Sequence, residues 1–378
     1  MSPRAVTALL LVLSTLGLTA FGAVNLASVS EAADLDEFRV QVKWMAIAAV
    51  VGTASVFVPF RWLLARGYLL YAAALGLLGA VLLVGRSIKG SRRWLDLGGL
   101  SVQPSEVMKF VFLIAMARCL RYEKDLGRPS ALVRAALLAV LPVGLILAQP
   151  NLSTATLFIP TAFGMLFVGG ASKRHLTAIL IGAALVAGLG SMILLKPYQK
   201  DRIMSTIMRD RLSPAEQQRE GYQLERSLRS VAIGGVTGQG WKEGVQNRLN
   251  VLAERHNDFI FALAAEEFGF VGCLAIIVLI LTALFAMGRI AIETREPGGR
   301  YFTVGAAVLF GLQSFLHIGV NLGLIPTTGM TLPFVSAGGS SLITFTAITG
   351  TVLGIARRQI PVLAGDVNQE QMDRLRSL

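Results

Sequence analysis

Residues 258–288 read DFIFALAAEEFGFVGCLAIIVLILTALFAMG. After the opening Asp258 only Glu266 and Glu267 carry charge, and the rest is apolar. About 20 helical residues cross a hydrocarbon core of roughly 30 Å, so this run is longer than the membrane requires and its start should emerge where lipid meets water. Working outward, comparable runs recur near 5–25, 43–60, 68–85, 104–121, 131–149, 154–170, 174–195, 302–324 and 341–357. Together they predict an all-α, polytopic membrane protein: one integral domain over 1–378, about ten transmembrane helices, and one long extracytoplasmic loop at about 196–257. With 54% hydrophobic and 15% charged residues, the chain is outside the range of ordinary soluble domains. The run after Arg4 reads as a retained first helix, because many further spans follow it. Cys119 and Cys273 lie far apart in apolar surroundings, which gives neither a disulfide framework nor a metal-ligand spacing.

A net charge of +12 would suit nucleic acid, but its distribution fits a membrane and no nucleic-acid partner is expected. With the N-terminus inside, the inner loops hold Arg61 and Arg66; Arg118, Arg121, Lys124 and Arg128; Lys173 and Arg174; Arg289, Arg295 and Arg300; and Arg357 and Arg358. That is the positive-inside pattern, and it puts both termini in the cytoplasm of a cell with this protein in its inner membrane. The first outer loop is acidic, with Glu31, Asp34, Asp36 and Glu37. The next breaks the charge bias with Arg86, Lys89, Arg92, Arg93 and Trp94. Either an anionic partner binds there or the side chains snorkel to membrane lipid headgroups.

In the long loop, Leu224, Leu228 and Val231 fall at i, i+4 and i+7, which describes an amphipathic helix lying along the interface or folded back over the bundle. The glycines that follow, Gly234, Gly235, Gly238 and Gly240, lack the strand and helix that frame a nucleotide motif.

Ionisable groups inside spans are expensive and so point to function or to pairing. Glu106 and Lys109 share one helix face behind Pro104 and Ser105, as a structural ion pair or a grip on substrate. Asp258, next to His256 and Asn257, is either a helix N-cap or a carboxylate at a wet boundary able to take a proton from a sugar hydroxyl. Glu266 and Glu267 lie deeper and read as structural or coupling residues. The last outer region, from Asn321 through Pro326, Thr327, Thr328 and Gly329 to Ser340 and Ser341, carries too many glycines, prolines and hydroxyls for a lipid-facing helix. It predicts a broken backbone lining a cavity.

These pieces resemble the SEDS family (shape, elongation, division and sporulation), represented by RodA and FtsW. The matching residues are Gly90 through Trp94; Gln103-Pro104-Ser105-Glu106 with Lys109; Gln149-Pro150; Gly221-Tyr222-Gln223 with Ser227; His256 with Asp258-Phe259-Ile260-Phe261 and Glu266-Glu267; Gly319-Val320-Asn321; and Leu332-Pro333-Phe334 with Gly338 through Ser341. The resemblance implies an inverting peptidoglycan glycosyltransferase that joins lipid II units and releases undecaprenyl diphosphate, with Asp258 as the essential carboxylate. It implies substrate contacts from Arg92, Arg93, Trp94, Glu106, Lys109, His256, Asn321, Ser340 and Ser341, and a class B penicillin-binding protein, a transpeptidase, as partner. Tyr71, the Leu332-Pro333-Phe334 triplet and the short termini are more similar to RodA, the elongation member, than to FtsW, the division member. The chain departs from the family pattern at Asn151, where Asp is usual, at Arg226, where Gln is common, at Asn257, where Thr is usual, and in lacking a Pro before Glu254.

Two other functions fit the same span pattern: a lipid-linked sugar flippase, and a non-catalytic scaffold of the cell-wall machinery. A transporter usually carries internal repeats, and the two halves show no convincing one. No metal cage is visible in the sequence, although a diphosphate leaving group is of the kind that Mg²⁺ or Mn²⁺ assists.

Overall fold

A computed structural model describes residues 3–33, 37–88, 91–97, 100–123, 125–126, 128–182, 222–248 and 256–358. The second half of the predicted 174–195 helix, most of the 196–257 loop, the stretch holding Glu254 and Arg255, and the Arg92 side chain lie outside the described residues. The helices are α1 (Pro3–Ala33), α2 (Glu37–Phe57), α3 (Phe60–Val84), α4 (Pro104–Tyr122), α5 (Pro129–Ala148), α6 (Leu152–Val168), α7 (described over 173–182), α8 (Tyr222–Gly234), α9 (Val245–Arg248), α10 (Ile260–Glu293), α11 (Pro297–Asn321) and α12 (Gly339–Arg357). Among the described residues seven helices, α1, α2, α3, α5, α10, α11 and α12, are long and apolar enough to cross a membrane, and α6 is a shorter apolar helix.

The predicted span at 104–121 is α4, which holds Glu106, Lys109, Arg118 and Arg121 and packs against α3, α11, α12 and α5. Pro104 sits at its first turn, Glu106 meets the positive end of the helix dipole, and Arg121 meets the negative end. Glu106 and Lys109 are buried and pair with each other inside the bundle, Arg121 pairs with Glu296, and Arg118 donates to the Leu64 carbonyl. Around α4, α12 lies along α2, α1 along α10, and α6 against α11 and α5.

Between α3 and α4 the chain forms a three-stranded antiparallel sheet, β1 (Arg86–Ile88), β2 (Ser91–Leu97) and β3 (Leu100–Val102), in the order β1-β2-β3. The sequence predicts a loop here, and the structure forms a small sheet in its place. Leu95 pairs with Val102 and Leu97 with Leu100, while Asp96 pairs with Ser101, so apolar and polar pairs alternate along β2 and β3. That is a hairpin signature, overshadowed in the sequence by the basic residues before it.

α10 is not one continuous helix: Gly269 has φ 65° and ψ −159°, which breaks the helical hydrogen-bond ladder. The glycine turn after α8 fills the break. Gln239 and Gly240 donate backbone N–H groups to the carbonyls of Glu266 (2.9 Å) and Glu267 (3.1 Å), and Gly235 and Val236 accept from Phe270 (2.9 Å) and Val271 (3.1 Å). The glycine run is therefore a backbone splice that satisfies four groups the break would otherwise strand in the membrane. α8 is held down with it, folded back over α10 with Leu224, Ser227, Ser230 and Gly234 buried. Of the two placements open to the amphipathic helix, the described residues show this one.

Candidate functional site

Asp258 stands just before α10, in a turn whose backbone is held from the opposite segment, 321–337. Three consecutive carbonyls are engaged: His256 O accepts from Ala337 N (2.9 Å), Asn257 O from Ser336 Oγ (2.7 Å) and Asp258 O from Asn321 Nδ2 (3.0 Å). Ser336 Oγ in turn accepts from Leu332 N at 2.8 Å. The Asp258 carboxylate lies over Gly329, where an added methyl would be 3.4 Å from Oδ2. Segment 322–338 is non-helical backbone set into the bundle, with Leu332, Phe334 and Val335 buried, as the glycine and proline content predicts.

The N-cap of α10 is Phe259, and no side chain of its own caps the helix. An orphan amide of the first turn, Ala262 N, is bound instead by Asn321 Oδ1 at 3.0 Å. Asn321 also donates through Nδ2 to His317 O (2.8 Å), and its own carbonyl accepts from Ser227 Oγ (2.9 Å). Its side chain is 0% exposed.

The second polar group joins α4, α11 and the 322–338 segment. Lys109 Nζ lies 2.6 Å from Glu106 Oε1 and 2.8 Å from Gln313 Oε1. Gln313 Nε2 donates to Thr331 O at 2.9 Å, and Thr331 Oγ1 donates to Ser341 Oγ at 3.0 Å. One turn on, His317 Nδ1 meets Met330 O at 2.7 Å. Ser340 Oγ accepts from Gln103 N (3.1 Å) and donates to Ser101 O (3.3 Å), tying the start of α12 to the sheet and to α4. Lys109, Glu106, Ser340 and Ser341 are all buried. Sequence reading missed Gln313, His317 and Thr331 because a Gln and a His within an apolar helix give no sign of their partner 13 to 18 residues away.

At the same end of the bundle Arg93 sits on β2 beside Trp94 and donates to the carbonyls of Gln149 (3.0 Å) and Pro150, at the C-terminus of α5. Asn151 then caps α6, its Oδ1 accepting from Thr154 N at 3.3 Å, and Ser153 Oγ donates to Thr328 O. Asn151 therefore keeps the capping role an Asp could play there, without its charge. The N-termini of α4, α6, α10 and α12 and the sheet thus gather around 322–338, and the positive ends of the helix dipoles favour an anion at this end. Trp94, Asp258 and His256 are partly exposed there. Glu266 and Glu267 stand apart, buried against Ser230 Oγ (3.2 Å) and Ser28 Oγ respectively, beside the α10 break. Among the described residues no three His, Cys, Asp or Glu side chains come together as a metal cage.

At the other end, basic side chains bind carbonyls and carboxylates. Arg121 pairs with Glu296 at 3.0 Å, Arg300 donates to Thr294 O (3.0 Å), Arg118 to Leu64 O and Arg358 to Phe57 O. The fold defines a helical, multi-pass membrane protein with a polar site at the end opposite its basic face. Residues 4–360 match the family of cell-cycle proteins that comprises FtsW, RodA and SpoVE, and the chain belongs to that family. It is 36% identical over 314 residues to the probable peptidoglycan glycosyltransferase FtsW of Tolumonas auensis, covering 81% of this chain and 79% of that one. To the Coxiella burnetii protein of the same name it is 33% identical over 362 residues, covering 92% and 95%. Among solved structures it resembles a chain described under the structural coordination of polymerization and crosslinking by a peptidoglycan synthase complex, with TM-score 0.79, 33% identity and 92% and 96% coverage. It also resembles the rod shape determining protein RodA of Thermus thermophilus, with TM-score 0.69, 31% identity and 93% and 97% coverage. The chain is thus a multi-pass inner-membrane peptidoglycan glycosyltransferase.

Proposed function

We propose that the enzyme polymerises lipid II into β-1,4 glycan strands with Asp258 as general base, on the extracytoplasmic side of the membrane. The observation that carries this reading is the clamp on residues 256–258: three successive carbonyls are fixed, and the one carboxylate of that turn lies over Gly329 at the end where the helix N-termini gather. The 4-hydroxyl of the acceptor's terminal GlcNAc attacks the anomeric carbon of the donor MurNAc. The new C–O bond forms as the bond to the diphosphate breaks, the hydroxyl proton passes to Asp258, and undecaprenyl diphosphate leaves with inverted configuration at the sugar. A positioned carboxylate contributes on the order of 10² to 10⁴ to such a step. The convergent helix N-termini, and Arg92 and Trp94 of the sheet, supply the anion-binding side of the reaction.

A role in cell elongation rests on Tyr71 and the Leu332-Pro333-Phe334 triplet, against which stand curated relatives named FtsW. Depletion in a rod-shaped host separates the two: rounding supports elongation, filamentation supports division. The transpeptidase partner is a class B penicillin-binding protein, whose co-purification from detergent extracts tests the pairing. For the chemistry, purified protein incubated with lipid II should yield glycan strands long enough to resolve by gel. Lipid II movement across vesicles without strand formation would favour the flippase, and neither result would favour the scaffold.

A further inference from the structure

We infer that Asn321 is a positioning residue for the glycosyl transfer, acting through the backbone of Asp258 and not by touching substrate. The inference rests on Asp258 being the base. One amide side chain bridges two points of the same turn: Nδ2 donates to Asp258 O at 3.0 Å and Oδ1 accepts from Ala262 N at 3.0 Å. Those points flank the N-cap Phe259, which has no cap of its own, so Asn321 both replaces the missing cap and fixes the peptide from which the carboxylate projects. Nδ2 has two hydrogens; the second goes to His317 O at 2.8 Å, which locks the amide orientation to α11. With the side chain wholly buried and these three bonds made, substrate has no access to it.

The bracing continues outward. The carbonyl of Asn321 accepts from Ser227 Oγ at 2.9 Å, so α8 presses on the residue that holds Asp258. Phe259, Ala262 and Val320 form a small apolar cluster with Val231 and Ile325 around the same point. Asp258 therefore takes its height and direction from α11 and α8 jointly. A catalytic group displaced by about 1 Å loses on the order of 10²-fold in rate, and binding is untouched when the displaced group is not a binding contact.

Two substitutions separate the bonds. Asn321→Asp keeps an acceptor for Ala262 N but places an oxygen against Asp258 O, and Ser227→Ala removes only the outer brace. Steady-state polymerisation by the purified variants, with thermal melting in detergent as the folding control, reads the outcome. Asn321→Asp is expected to lower kcat at least tenfold with KM for lipid II within about twofold of wild type, and Ser227→Ala to lower kcat severalfold with the same KM. A raised KM with kcat retained in Asn321→Asp would make Asn321 a substrate contact and overturn the inference. So would a kcat within twofold of wild type in that variant while Asp258→Asn, assayed in parallel, is inactive. If Asn321→Asp does not fold, Ser227→Ala decides by the same kcat and KM criteria. Activity retained in Asp258→Asn would instead overturn the reading of the base itself.

Discussion

The side-chain amide of Asn321 donates to the backbone carbonyl of Asp258 at 3.0 Å, across 63 positions of sequence. The N-cap position of α10 falls on Phe259 and not on Asp258, and Asn321 Oδ1 takes Ala262 N, the third amide of that helix. The two readings open for Asp258 in the sequence thereby become unequal, because the helix has its acceptor from elsewhere.

The consequence is measurable in Asp258→Asn. Asn has the size of Asp and caps helices about equally well, but it takes no proton from a sugar hydroxyl. The variant should insert, melt like the parent, and lose glycan polymerisation by on the order of 10² to 10⁴. Robust strand synthesis by the well-folded variant would remove Asp258 from the chemistry.

Arg93 and its neighbour Arg92 should separate by phenotype. Arg93 caps the end of α5 through Gln149 and Pro150, so Arg93→Ala ought to lower thermal stability by about 1.5–3 kcal/mol, as lost hydrogen bonds to a charged donor do. Arg92→Ala is expected to raise KM for lipid II with little change in melting, if its charge serves an anionic substrate as proposed. A raised KM in Arg93→Ala with unchanged melting would reverse the assignment.

The bundle was legible from the sequence because a membrane helix is a local property, readable from about 20 consecutive residues without knowledge of neighbours. Asp258, Glu106 and Lys109 were legible for a related reason: an ionisable group in apolar surroundings stands out by its cost. What holds them was not. Gln313 and His317 look like ordinary polar residues in α11 until the backbone at Met330 and Thr331 folds against them. The splice at Gly269 needs a turn from more than 25 residues upstream, and a glycine inside an apolar run gives no direction for its partner. The small sheet has its signal in the alternation on either side of Gly98-Gly99, which is short and weaker than the charge signal of the basic and aromatic side chains before it.

Glu106 and Lys109 make a pair 2.6 Å apart, and both are buried. Removing one partner should strand the other, at about 3–5 kcal/mol by analogy with buried pairs in soluble proteins. Glu106→Ala is therefore expected to melt far below wild type, and adding Lys109→Met should restore much of the loss. If the double variant is no more stable than Glu106→Ala, the pair is not the source of the destabilisation.

Topology can be read with little background, because both native cysteines are buried. A cysteine introduced at exposed Val236 should react with a membrane-impermeant maleimide in intact spheroplasts, and one at exposed Lys173 only after lysis. Labelling of position 173 from outside would invert the orientation and move the proposed site to the cytoplasm.

The splice at Gly269 sets up the strongest contrast between two substitutions of one kind. At Gly269 the backbone is left-handed, and an added Cβ would fall 2.3 Å from Gly238 N and 2.5 Å from Val236 O. At Gly288, further along α10, an added Cβ meets nothing within 4 Å. Gly288→Ala should therefore be neutral or slightly stabilising, since Ala favours helix over Gly by about 1 kcal/mol. Gly269→Ala must pay for the disfavoured φ, about 1–3 kcal/mol, and must also push the glycine turn out of the break, exposing the Glu266 and Glu267 carbonyls. Because α8 is tied to that turn and carries Ser227, the displacement should reach Asn321 and lower polymerisation along with stability. Limited proteolysis of the purified variant should cut the 222–248 region faster than in the parent. If Gly269→Ala instead melts and resists protease like Gly288→Ala, the turn is not what completes the broken helix, and the link from α8 to Asp258 has lost its anchor.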